Sequence, residues 1–453
     1  VNSPGTFKVS ANETIGSLTG AGAVSLQATN ILTVGGASTT LYSGLMSGTG
    51  GLSKAGTGTL ALGGANSFSG GSALSSGVLQ VGNDAALGTG VITLSGGTLS
   101  SDSTTARALV NDYSLGGTLT LGDTTNNGAL TLSGSGAITS NSTVTVPSPV
   151  TLSGVVSGSG GLTKAGSGIL TLMGSNTFSG GTTVNGGTIR IGSNTAFGTA
   201  GLTLNNGVTL TSDGTSPRSL SNTYSTSGTV TLGAASTYTG SLTFSGSGAL
   251  TAGTTLTVSA PVVLSGAVSG AFSLTKGGAS ILTLGGANTF TGGVTVTGGA
   301  GSVVRIGHDT GLGSGLLTLN TASVGVSSDS VTARTLANAF TIGASVTMGD
   351  ATNSGALTFG GTGAITANST VTVSSAVNWN GVVSGSGNLT KAGTGELTLG
   401  GLNTHSGTVA VTAGTLTLNS GSAVSDTGAV TVTSPGILKL GASEAVGSLA
   451  GTG

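Results

Sequence analysis

One phrase recurs four times along this chain, and that recurrence restricts the possible fold more than any other feature. SGTGGLSKAGTGTLALGGANSFSGG begins at Ser47 and returns as SGSGGLTKAGSGILTLMGSNTFSGG from Ser157. It appears again as SGAFSLTKGGASILTLGGANTFTGG from Ser269 and as SGSGNLTKAGTGELTLGGLNTHSG from Ser384. The motif lysines Lys54, Lys164, Lys276 and Lys391 step by 110, 112 and 115 residues. The asparagines Asn66, Asn176, Asn288 and Asn403 keep the same steps, and Phe68, Phe178 and Phe290 follow them, with His405 in the fourth copy. A second phrase runs in phase from Ser101, Ser212 and Ser328 and carries Arg107, Arg218 and Arg334. Self-similarity of this kind is the mark of a repeat architecture. Residues 1–453 are therefore expected to form one continuous solenoid of about four long repeats of roughly 110–115 residues, with motif copies near 47–71, 157–181, 269–293 and 384–407. The first 22 residues match the stretch from Val432 at 12 positions, as a segment of a longer repetitive polypeptide would.

Within each repeat the apolar residues alternate with Thr and Ser, as in Gly117-Thr118-Leu119-Thr120-Leu121-Gly122. A period of two over four to six residues is the pattern of a half-buried strand. Hydrophobic residues make up 36% of the chain, enough to exclude disorder, although only 5% are charged. Helix is excluded by Gly and β-branched interruptions throughout. The 88 glycines, with Asn and Ser, punctuate the strands evenly and leave no stretch that reads as a linker. Short strands with such turns satisfy their backbone groups by lying on the coil before and after, at about 4.8 Å per rung. The expected fold is all-β, a single-stranded parallel β-helix (β-solenoid) of about twenty rungs at roughly 20–25 residues each, right-handed by the usual crossover preference. Asparagines at matching corners are expected to form side-chain ladders.

The same residues narrow the chemistry. A net charge of −1 offers nothing to nucleic acid, and the absence of Cys removes disulfides and thiolate sites. No apolar run approaches the roughly 20 residues of a membrane helix, so no membrane insertion is expected within this segment. Carboxylates recur at equivalent places: Asp102, Asp213 and Asp329; Asp123 and Asp350; Asp84 and Asp309. Arg190 and Arg305 recur likewise. A general acid or base belongs to a singular constellation, so residues recurring once per unit are read as turn caps and local ion pairs. His308 and His405 lie in different phrases and suggest no zinc site. The regular Asp of calcium-binding nonapeptide turns is missing. Lys54 and Lys164 precede Ala, which does not make a phosphate loop. Trp379 and the motif phenylalanines are read as packing residues. Thr-x-Thr pairs such as Thr143 and Thr145, or Thr370 and Thr372, look sparse and out of phase, as ordinary outward threonines would.

The stretch GLTKAGSGILTLMGSNTFSGGTTVNGGTIRIG, from Gly161 to Gly192, resembles the passenger-associated repeat of autotransporter proteins, as does LSGVVSGSG from Leu152. The pattern is met four times. The third and fourth copies depart from it, where Phe272 interrupts the Gly run and Glu396 follows Gly395. The resemblance implies a secreted β-helix exported across a bacterial outer membrane and placed outside the cell or on its surface. The expected role is an extracellular structural or adhesive rod (a stalk, passenger or filament subunit) without catalysis and without a cofactor. Its expected partners are itself or cell-surface and matrix components. A polysaccharide-binding or polysaccharide-cleaving β-helix is the alternative.

Overall fold

A computed structural model describes residues 1–452, whose contacts divide the chain into two compact units, Val1–Gly214 and Thr215–Gly453. Among the described residues there are 51 strands, no helix and about 22 turns of a parallel β-solenoid. Most strands are three or four residues long, because Gly, Asn or Ser ends each run of alternating residues.

In the first unit two successive circuits are set out by the strands Leu162–Ala165 and Ile169–Leu172, followed by Thr182–Val184 and Thr188–Ile191. Thr182 lies opposite Leu162 and Leu202 opposite Thr182, all in parallel pairing, so a turn here takes 20 residues. Successive circuits stack like residues on like: Leu130, Val150, Leu170, Ile189 and Leu210 form one continuous inner column. All five are fully buried. Each such side chain contributes on the order of 1.5–3 kcal/mol on leaving water, and no single coil can bury its apolar edge alone.

The second unit repeats the arrangement on its own residues. Leu242, Val262, Leu282, Val304, Val326, Met348 and Val373 make one long inner column. Aromatic residues thicken this core: Tyr224 and Phe244 have ring centroids 4.9 Å apart, and Phe340 lies 5.2 Å from both Phe359 and Trp379. Trp379 is fully buried.

Glycine has a packing role beneath these rings. Tyr113 sits in register with Gly136, Tyr224 with Gly248 and Phe340 with Gly363 on the following rung. A Cβ at Gly136 would come within 2.6 Å of the Tyr113 ring. The ring fills the volume that the next rung leaves vacant.

Thr-x-Thr pairs do not capture all of the outward threonines, because single Thr residues of Leu-Thr-Leu strands also fall in register from rung to rung. Thr118, Thr143, Thr163, Thr183 and Thr203 form one in-register rank in the first unit. Thr229, Thr255, Thr275, Thr295, Thr318 and Thr341 form another in the second.

Candidate functional site

The repeated motif is where the polar chemistry of the chain concentrates. Each motif lysine occupies an inward position of its strand, as alternation from the preceding Leu requires, and so stands in an aliphatic column. Val34 and Leu74 flank Lys54, Val144 and Val184 flank Lys164, Leu256 and Val296 flank Lys276, and Val371 and Val411 flank Lys391. All four lysines are essentially inaccessible to solvent. The methylene stem packs in the core while the ammonium turns toward the adjoining bend.

Each ammonium is received by neutral oxygens. Lys391 Nζ donates to the carbonyls of Ala392 at 3.0 Å, Gly393 at 2.8 Å and Ala413 on the next rung at 2.9 Å. Lys164 uses Ala165, Gly166 and Gly186, and Lys54 uses Ala55, Gly56 and Ser76. Gly56, Gly166, Gly278 and Gly393 have φ between 70° and 79°, a left-handed turn that an L side chain would strain. No carboxylate is among the Nζ partners. Burial pushes Lys164, Lys276 and Lys391 down to about 8 and lowers Lys54 as well. The surrounding carbonyls work in the opposite direction by favouring the charged form.

The third copy receives its ammonium with a different set of oxygens. Its chain takes nine positions from Val296 to Arg305, against six from Val184 to Arg190. The longer loop brings in Ser302, whose Oγ accepts from Lys276 Nζ at 2.7 Å beside the Gly278 carbonyl, also at 2.7 Å.

The motif asparagines do not form ladders with one another. Each instead reaches both neighbouring rungs through the backbone. Asn176 Oδ1 accepts from Val156 N at 2.8 Å, and its Nδ2 donates to Ala196 O at 2.7 Å. Asn66 joins Met46 to Ala86, Asn288 joins Val268 to Gly311, and Asn403 joins Val383 to Ala423, all at 2.6–2.8 Å. The amide has one acceptor and one donor pointing opposite ways, which suits a corner where the strand hydrogen bonds lapse. Phe68, Phe178 and Phe290 are buried beside this corner, and the replacing His405 is buried too, with Nε2 against the Gly387 carbonyl.

The recurrent charges serve their own loops or bridge to neighbouring rungs. Arg107 pairs with Asp102 at 3.1 Å and Arg334 with Asp329 at 3.0 Å, each across five residues. Arg218 begins the equivalent strand Arg218–Leu220. Asp84 accepts from Ala108 N and Asp309 from Thr335 N, both at 3.0 Å. Asp123 and Asp350 cap their own turns. The Asn353 amide first, then Thr352 and the Arg305 guanidinium, hold Asp350 below the ordinary carboxylate value. His308 lies in an exposed turn. Among the described residues no three His, Asp or Glu side chains are grouped to hold a metal.

The structure thus places the lysine and asparagine clamps at separate corners of one circuit, and the arginines with neither. That the motif cations are buried was missed from the sequence, although the inward phase of Lys in Leu-Thr-Lys was a readable sign. Also missed are the buried hydroxyls of Ser100, Thr211 and Ser327, none of which meets a partner.

A family model described as the passenger-associated-transport-repeat matches residues 52–81, 162–191, 274–300 and 389–418, each beginning at or just before a lysine clamp. No curated protein and no solved structure matches the chain.

Proposed function

We propose, from a chain that carries four passenger-associated-transport-repeats on a parallel β-solenoid, that it serves outside the cell as the structural or adhesive part of an autotransporter-type passenger, without catalysis. One observation carries the reading: the motif's ionisable groups are spent on the fold. The lysine ammoniums bond to their own turns and to the next rung, leaving no free base or nucleophile there. The partner classes that follow are further copies of the chain and components of cell surfaces or matrix.

Antibody labelling of intact, unpermeabilised producing cells tests the location, with signal at the surface expected; labelling only after permeabilisation would overturn it. Purified chain incubated with pectin, xylan or chitin is expected to release no reducing ends. Sustained release abolished by a single substitution would replace the structural reading with an enzymatic one.

A further inference from the structure

The repeat pattern is broken on the outer face of the second unit, at the rung after the long loop that supplies Ser302. In the first two copies an outward threonine stands there: Thr98 opposite Val78, and Thr209 opposite Thr188. In the third copy the residue opposite Val303 is Gly325. The missing side chain leaves a notch of about 340 Å3 whose lining includes Val303, Gly325, Thr347, Ser327 and Asp350. Ser323, also on its wall, has φ of +63°, and Ala28 is the only other non-glycine residue with positive φ among the described residues. Strain held by a non-glycine residue clusters at sites of function.

One ion pair distinguishes this notch from its counterparts, and one orphaned hydroxyl is shared with them. Arg305 Nη2 reaches Asp350 Oδ2 at 3.0 Å, two rungs on. The first copy has Gln80 in place of that arginine, and the second has no aspartate matching Asp350, so only the third holds both. Ser327 is 1% exposed. Its hydroxyl meets no partner, as is true of the equivalent Ser100 and Thr211, but only Ser327 lies two residues after a glycine where the other copies have an outward threonine. An orphaned hydroxyl in a cavity wall is a group left over for a ligand.

We propose that this notch binds one uncharged sugar residue. The volume lies at the lower end of ligand pockets, room for a single ring and not for a chain. Val303 and the bare Gly325 backbone offer a surface for the C–H face of such a ring. Thr347, Ser327 and the remaining lone pairs of Asp350 meet its hydroxyls. A cation is disfavoured, because Asp350 Oδ1 already takes the amides of Thr352 and Asn353 while Oδ2 takes Arg305. An anion is disfavoured because Arg305 is spent on that same carboxylate. The proposal deepens the adhesive reading, but its test uses purified chain, so a failure of surface display leaves it standing or falling separately.

The test is saturation-transfer NMR on the full chain with the methyl α-pyranosides of glucose, galactose, mannose and N-acetylglucosamine. Transfer to at least one is expected, with loss in Gly325→Thr. That variant restores the threonine of the other two copies, and the Val78–Thr98 pair shows that the neighbours tolerate it. Ser327→Ala removes only a hydroxyl without an intramolecular partner and is expected to weaken the signal while leaving the melting curve in place. No transfer to any of the four probes, or transfer unchanged in both variants, overturns the proposal.

Discussion

Replacing Asn176 by Ala isolates what one motif asparagine contributes. The change deletes two buried hydrogen bonds, from Val156 N at 2.8 Å and to Ala196 O at 2.7 Å, and leaves both backbone groups without a partner. Asn176 is 2% exposed, so water does not reach the vacated groups without opening the corner. An orphaned buried polar group costs about 1–3 kcal/mol. The two together, with the small cavity left by the amide, predict a loss of about 3–5 kcal/mol, of which part is recovered if the corner relaxes. Long repeat arrays do not melt as a single two-state unit. The effect is therefore expected to be local, and amide hydrogen exchange read by mass spectrometry is the suitable assay. Peptides containing Val156 and Ala196 should lose protection by roughly two orders of magnitude or more, while peptides around the equivalent Asn66 corner should not change. Unchanged protection at Val156, or a loss spread evenly over the first unit, would refute the claim that the side chain ties three rungs together.

The buried lysines make stability depend on pH in an unusual direction. With Lys164, Lys276 and Lys391 lowered to about 8, the unfolded chain binds more protons than the folded one between there and the ordinary lysine value, so stability rises as pH rises through that window. Burial raises Tyr42 to about 12, which opposes the trend above pH 10, so thermal melts should show the gain between about pH 8 and 10. Lys164→Met, which keeps the stem and removes the charge, should lessen that slope without abolishing it, because Lys276 and Lys391 remain; a slope unchanged in the variant would show that its charge does not take part. Gly136→Ala should cost about 1–3 kcal/mol by pressing a methyl group onto the Tyr113 ring. Combining it with Tyr113→Ala should yield a total well below the sum of the single losses in denaturant melts, and strict additivity would argue against the ring–glycine contact.

Much of the fold was readable before any coordinates. Alternation in strands such as Leu-Thr-Leu makes one face apolar, and a phrase returning at 110–115 residues requires each circuit to sit on a like circuit. The repeat of Asp102 and Asp329 with Arg107 and Arg334 likewise pointed to local pairing, since the partners lie five residues apart in the chain. Less was readable about the clamps. Lys164 meets Gly186 and Asn176 meets Val156 and Ala196 only because a turn here takes 20 residues, a number set by how the corners close.

Local patterning alone therefore established strand, face and stacking, because those depend on neighbours within a few residues and on a repeat that can be counted. The partners of the buried polar groups were decided by the coil. Which carbonyl faces an ammonium, which rung an amide reaches and where a missing side chain leaves a notch all depend on register between circuits. A three-residue insertion such as the one before Arg305 leaves that register intact, with Thr283 opposite Arg305 as Thr171 is opposite Arg190, yet changes the loop and brings Ser302 to Lys276.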